Sequence, residues 1–203
     1  MTEIERARLE TISRQLDRMR TVQNQYQSRL YHCLIGTTVA ALVCMGLHSA
    51  VTFLVLPFLL VTGAVLCCYT LNVIEFARLH ARALEGKINR LFGERLLIQH
   101  EIEGEYFYAF DVPRFSEISM ACRPRFFCVF LLHFGLFWGL LLVLDWYNLF
   151  SLYGKEQFIW FYSFLFVIWA GLHFVYLWRY FTECRGEQKV TELLRQTYGL
   201  ERS

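Results

Sequence analysis

Residues 33–73, CLIGTTVAALVCMGLHSAVTFLVLPFLLVTGAVLCCYTLNV, carry no Asp, Glu, Lys or Arg. A run of this composition reads as membrane-embedded helix. At about 1.5 Å per residue it is roughly twice the length that a ~30 Å hydrocarbon core requires, so it divides into two spans. The break is expected near His48, Ser49 and Thr52, where polar side chains interrupt the run. Pro57 then falls in the first turns of the second span, where a missing N–H costs little or a kink follows. Two further apolar runs, about 126–144 and about 158–178, are each long enough for one span. Asp145, Trp146, Tyr147 and Asn148 close the first and Arg179 and Tyr180 the second. Trp and Tyr at such ends fit an interfacial belt.

The rest of the composition agrees. The 203 residues are 56% hydrophobic, with 19 Phe, 11 Tyr and 5 Trp, which leaves room for four spans and none for a separate soluble catalytic domain. The expected fold is therefore an all-α membrane protein. It has four transmembrane helices as two hairpins, with a cytoplasmic antiparallel helical stalk. The segments are 1–32 (amphipathic helix), 33–74 (first hairpin), 75–125 (helix and return), 126–180 (second hairpin) and 181–203 (a short surface helix with Val190, Leu193 and Leu194 on one side).

The stalk is read from two seams. Leu9, Ile12, Leu16, Met19, Gln23, Tyr26 and Leu30 follow a 4-3 spacing, as do Ala77, Ala81, Leu84, Ile88, Leu91, Ile98 and Ile102, with Arg95 the one charged intruder. The two helices can run antiparallel, seam to seam; a coiled coil with a separate partner is equally open. A straight helix over residues 75–103 would end roughly 42 Å out, and residues 104–125 as helix return only about 33 Å. The return is extended or the outgoing helix breaks. Gly93 is the favoured joint, as a left-handed residue after Phe92 with Glu94 opening a second helix.

The run Glu85-x-x-Ile88-Asn89-x-x-x-Gly93-x-x-Leu96-Leu97 resembles a pattern in uncharacterised bacterial integral membrane proteins, E-x-x-I-N-x-L-x-G-x-x-L-L, on a helix that follows a transmembrane hairpin. A Trp-Glu pair often follows there; Gln99, His100 and Glu101 stand in its place here. The resemblance implies a bacterial membrane location and no particular activity.

Charge distribution sets the orientation. Six basic residues precede residue 33, eight lie between Arg78 and Arg125 and five follow from Arg179; Lys155 alone of the 20 falls in a hairpin loop. The positive-inside rule then places both termini in the cytoplasm of a bacterial inner membrane. A net charge of +2 gives no argument for nucleic acid. The seven cysteines are odd in number, lack a CxxC pair and lie in or beside apolar runs, which fits buried thiols rather than a disulfide frame or a zinc site.

Several constellations bear on function. His133 and His173 sit at matched depth on the third and fourth spans and are candidates to hold haem; the bland alternative is neutral imidazoles hydrogen-bonded among Tyr and Trp. Tyr162, Phe166, Trp169, His173, Tyr176 and Tyr180 form a stripe on the fourth span, as a packing seam or a pore lining. Gly135 and Gly139 form a GxxxG motif that permits close helix approach. His100, Glu101, Glu103, Glu105 and Asp111 form an acidic group beside an aromatic run, without an HExxH pattern. No phosphate loop, dinucleotide fingerprint or nucleophile elbow is present.

The leading expectation is a non-enzymatic membrane module that oligomerises through small-residue faces. Leu16, Met19, Leu84, Ile88 and Leu91 of its stalk would engage a cytoplasmic protein, and Gly135, Gly139, Tyr162, Trp169, His173 and Tyr176 would serve contacts in the bilayer. An oligomeric pore and a haem-binding redox protein are the alternatives. A reporter fused to either terminus is expected to be active only on the cytoplasmic side; activity outside at either end refutes the orientation.

Overall fold

From Glu3 to Ile35 the chain has neither Gly nor Pro, and Glu3 and Glu5 lie at the positive end of the helix dipole. It forms one helix, α1 (Glu3–Leu47), which continues through the change from polar to apolar sequence. The structure, a computed structural model, describes residues 3–99, 102, 126–182 and 185–198. The other helices are α2 (Ala50–Phe92), α3 (Phe126–Tyr153), α4 (Gln157–Thr182) and α5 (Arg185–Tyr198), with no strand among the described residues. Four of them, α1 to α4, are long and apolar enough to cross a membrane. The acidic group from His100 to Asp111 lies outside the described residues.

The α1–α2 connection is two residues long. His48 takes a left-handed φ of 48°, and its ring Nδ1 is hydrogen-bonded to Met45 O. Ser49 and Thr52 then cap α2 reciprocally. Ser49 N donates to Thr52 Oγ1 (3.2 Å) and Thr52 N to Ser49 Oγ (3.4 Å). Pro57 lies within α2 on its buried face.

The described chain falls into two compact units. In the unit of residues 29–69 and 129–182, each helix contributes a buried stripe at helical spacing. These are Leu30, Leu34, Thr37 and Ala41 on α1; Phe53, Leu56, Leu60 and Cys67 on α2; Trp138, Leu141, Asp145 and Leu149 on α3; and Ile159 and Phe166 on α4. Phe53, Leu149 and Ile159 form one apolar cluster with Met45, Trp146 and Tyr153, so the end of α1, the start of α2, the end of α3 and the start of α4 meet there. Trp138 Nε1 donates to Thr38 Oγ1 (2.9 Å) and Tyr162 Oη to Leu54 O (2.6 Å), which ties α3 to α1 and α4 to α2.

In the unit of residues 1–28, 70–128 and 183–203, Leu16 of α1 packs with Ala81, Leu84 and Ile88 of α2, flanked by Leu9, Ile12, Met19, Leu97 and Tyr198. A second cluster joins Leu79 and Ala83 of α2 to Val190 and Leu194 of α5.

Three expectations need correction. Asp145, Trp146, Tyr147 and Asn148 do not close the third apolar helix, which runs two further turns to Tyr153. Burial of Leu149 and the aromatic contacts of Trp146 and Phe150 outweigh the modest helix propensities of Asp and Asn. Residues 95–98 are not helical, so Glu94 does not open a helix. On α5 the packed face is Val190, Leu194 and Tyr198, at i, i+4 and i+8, whereas Leu193 is 63% exposed.

α1 and α2 approach each other closely at Gly63. A Cβ there would stand 2.6 Å from Thr37 Cγ2 and 2.8 Å from Thr37 Oγ1. Thr37 is buried and β-branched, so it has little freedom to rotate away. Gly63→Ala is expected to destabilise the protein by about 1–3 kcal/mol through overpacking. Gly36→Ala, with nothing within 4 Å, should not. Thermal unfolding of both variants in detergent checks this.

Candidate functional site

The resemblance motif maps onto a single local structure at the end of α2. Glu85 is 2% exposed and accepts a 2.8 Å hydrogen bond from Arg20 Nη2 of α1. Ile88 lies in the apolar cluster around Leu16 and Leu84. Gly93 ends the helix with φ 68°, a conformation that favours glycine, and its N–H donates to Arg90 O. Asn89 secures the chain beyond the turn. Its Oδ1 accepts from Leu96 N (3.0 Å) and Leu97 N (2.8 Å), and its Nδ2 donates to Leu97 O (2.7 Å). Leu97 is then held against the cluster, while Leu96 is exposed. Apart from Leu96, every motif residue up to Leu97 therefore serves the local structure. Glu85 supplies an ion pair, Ile88 a core contact, Asn89 a side-chain clamp, Gly93 a left-handed turn and Leu97 a returning apolar side chain.

The seam residues divide. Leu16, Leu84 and Ile88 are buried by the chain's own helices and Met19 packs beside them, whereas Leu91 is 53% exposed. With Phe92, Leu96, Ile98 and Ile102, Leu91 belongs to a group of exposed apolar residues at and beyond the joint.

α5 brings a polar contact that sequence reading missed. Tyr198 Oη lies 2.9 Å from His80 Nε2 and 3.5 Å from Gln15 Oε1, and Lys87 Nζ donates to Tyr198 O (3.2 Å). With the hydroxyl donating to Gln15, His80 donates through Nε2–H. Its buried Nδ1 has no partner among the described residues. The signal was present as the i, i+4, i+8 spacing of Val190, Leu194 and Tyr198.

In the other unit three residues of the α4 stripe, Tyr162, Phe166 and Trp169, make ring contacts with α2 or α3. Phe58 of α2 lies against Tyr162, Phe166 and Trp169 at ring-centroid distances of 6.0, 5.3 and 4.8 Å. Trp146 of α3 meets Tyr162 and Phe166. His173 lies tilted against Trp169 with ring centroids 4.3 Å apart, and its Nδ1 is 2.9 Å from Trp169 O. His133 is exposed on α3, with its ring edge-on to Phe134. The side chains of Tyr176 and Tyr180 lie outside the described residues.

Gly135 and Gly139 are exposed on α3 at the flank of the face formed by Trp138, Leu141 and Leu149, and a Cβ on either would meet nothing within 4 Å. Asp145, by contrast, is wholly buried, and neither carboxylate oxygen has a hydrogen-bond partner among the described residues. Its register was legible, four residues after Leu141 and four before Leu149; its burial was not. Among the described residues no group of three or more metal-ligating side chains comes together.

No family model matches the chain, and neither a curated protein nor a solved structure matches it.

His80 lies beyond the charge-free run, and burial holds it below the ordinary histidine value of 6.5. The unfolded chain takes up a proton near pH 6.5, whereas the folded chain does so only at lower pH. His80 thus contributes stability that is intact above pH 6.5 and is lost as pH falls below it. Thermal unfolding between about pH 7.5 and 5 is expected to show this loss in the wild type and a flatter profile in His80→Gln.

Proposed function

We propose that the protein is a non-enzymatic module of a bacterial inner membrane that self-associates and engages a cytoplasmic partner. In this reading α1 to α4 cross the bilayer as two hairpins, both termini are cytoplasmic, and the unit built around Leu16, Leu84 and Leu194 forms a helical stalk. The distribution of basic residues supports the orientation, with Lys155 the one of 20 in a hairpin loop.

The observation that carries the reading is the outward glycine face of α3. Leu136, Leu140 and Val143 beside Gly135 and Gly139 are 66%, 54% and 65% exposed, while the opposite face packs inside its own unit. Between helices in lipid, small residues permit close backbone approach and van der Waals contact. An exposed GxxxG pair with nothing within 4 Å of either glycine suits a second copy, because one patch can meet its equivalent about a twofold axis. For the cytoplasmic partner, the seam of Leu16, Leu84 and Ile88 is already filled by the chain itself. Leu91, Phe92 and Leu96 are what remain to meet it.

The contacts of the α4 stripe with Phe58 and Trp146 favour packing over a pore lining. A haem reading retains one supporting feature: His173 Nδ1 is engaged by Trp169 O, which leaves Nε2 as a ligating nitrogen.

Gly135→Leu/Gly139→Leu is expected to convert the nanodisc-embedded oligomer to monomer without changing its unfolding temperature, since neither position meets a neighbour within 4 Å. A wild type that is strictly monomeric overturns the reading. A Soret band or ion conductance in the same preparations would establish the haem or the pore reading in its place.

A further inference from the structure

Asp145 is the only residue among Asp, Glu, Lys and Arg between positions 126 and 154, and residues 33–73 contain none. It lies eight residues before the end of α3, on the stripe formed by Trp138, Leu141 and Leu149, and it is 0% exposed. Both oxygens are buried without a hydrogen-bond partner among the described residues. Among the described residues no cation forms an ion pair with it. α4 brings Tyr162, which is within electrostatic reach, but its hydroxyl donates to Leu54 O. His173 stands eleven residues further along α4, engaged with Trp169. In their charge-free segments α1 and α2 contribute four cysteines and Tyr69, and His48, at their connection, is exposed. Lys155 and Glu156 are exposed in the α3–α4 connection, and His133 is exposed three turns earlier on α3.

An ionised carboxylate enclosed in this way is shut off from bulk solvent and has no hydrogen-bond partner among the described residues to stabilise it. We propose that Asp145 is an intramembrane proton-binding site, a carboxyl group that holds a proton while the helices are closed around it. The proton comes from water: one carboxylate oxygen takes H+ to give the neutral acid, and release regenerates the carboxylate. The ionised form is compatible only with an arrangement that admits water or a cation to Asp145. Proton occupancy is therefore coupled to the packing of α3 against Tyr162 and Phe53. The proposal rests on the reading of α1 to α4 as membrane spans.

The test is labelling of the full chain in liposomes with dicyclohexylcarbodiimide, which enters apolar regions and reacts with protonated carboxyl groups. Asp145 is expected to be modified at neutral pH, with the yield falling as pH rises, and peptide mass mapping locates the adduct. Asp145→Asn should reduce labelling of that peptide to background. Because the wild-type pH profile is informative alone, failure of the variant to fold does not remove the test. No adduct at Asp145 at any pH, in protein that resists extraction by alkaline carbonate, overturns the proton site. Protection by sodium or potassium at constant pH overturns it in favour of a metal-cation site. Release of the protein by carbonate would instead refute the membrane reading on which the proposal stands.

Discussion

A chain with 41 consecutive uncharged, largely apolar residues must satisfy its backbone N–H and C=O groups internally, because apolar surroundings offer no substitute. Helices meet that requirement, and the rest of the structure follows from it. α1 and α2 each exceed 40 residues because nothing at the change from polar to apolar sequence interrupts the hydrogen-bond ladder. The ladder stops where local chemistry supplies an alternative. At His48 the reciprocal Ser49–Thr52 bonds cap the next helix, and at Gly93 the Asn89 side chain takes over the backbone groups of Leu96 and Leu97.

The motif from Glu85 to Leu97 illustrates how a pattern without an assigned activity acquires a physical meaning. Arg20 and Glu85 place an ion pair beside the apolar contacts of Leu16 and Ile88. Pairs of this kind add little net stability but penalise alternative registers, since slippage leaves a buried carboxylate without its cation. Asn89 and Gly93 then reverse the chain within a few residues. Leu91 and Phe92 stay exposed in the last turn of α2, and Leu96 beyond the turn.

α3 shows the opposite relation between pattern and environment. Its composition is apolar almost throughout, so periodicity alone does not say which face is inside. Packing separates Trp138, Leu141, Asp145 and Leu149 from Gly135, Leu136, Gly139 and Val143. The result places a carboxyl group inside and two glycines outside. On the usual logic of a soluble protein the polar group would face out; helices surrounded by lipid turn polar groups toward protein.

By itself the sequence determined the helical class, the four apolar stretches, the seam of Leu9, Ile12, Leu16 and Met19, and that of Ala81, Leu84 and Ile88. These depend on local periodicity and on the energetic cost of charge in apolar surroundings, both of which are properties of short segments. Only the tertiary structure decided that Leu91 is left exposed, that Tyr198 and Leu194 of α5 complete a packed unit, that Tyr162, Phe166 and Trp169 of α4 lie against Phe58 or Trp146, and that Asp145 is enclosed. Each of these depends on which residues distant in sequence become neighbours. A stripe of mixed aromatic and polar side chains does not encode what will lie against it, and an apolar helix has no polar face to mark its outside.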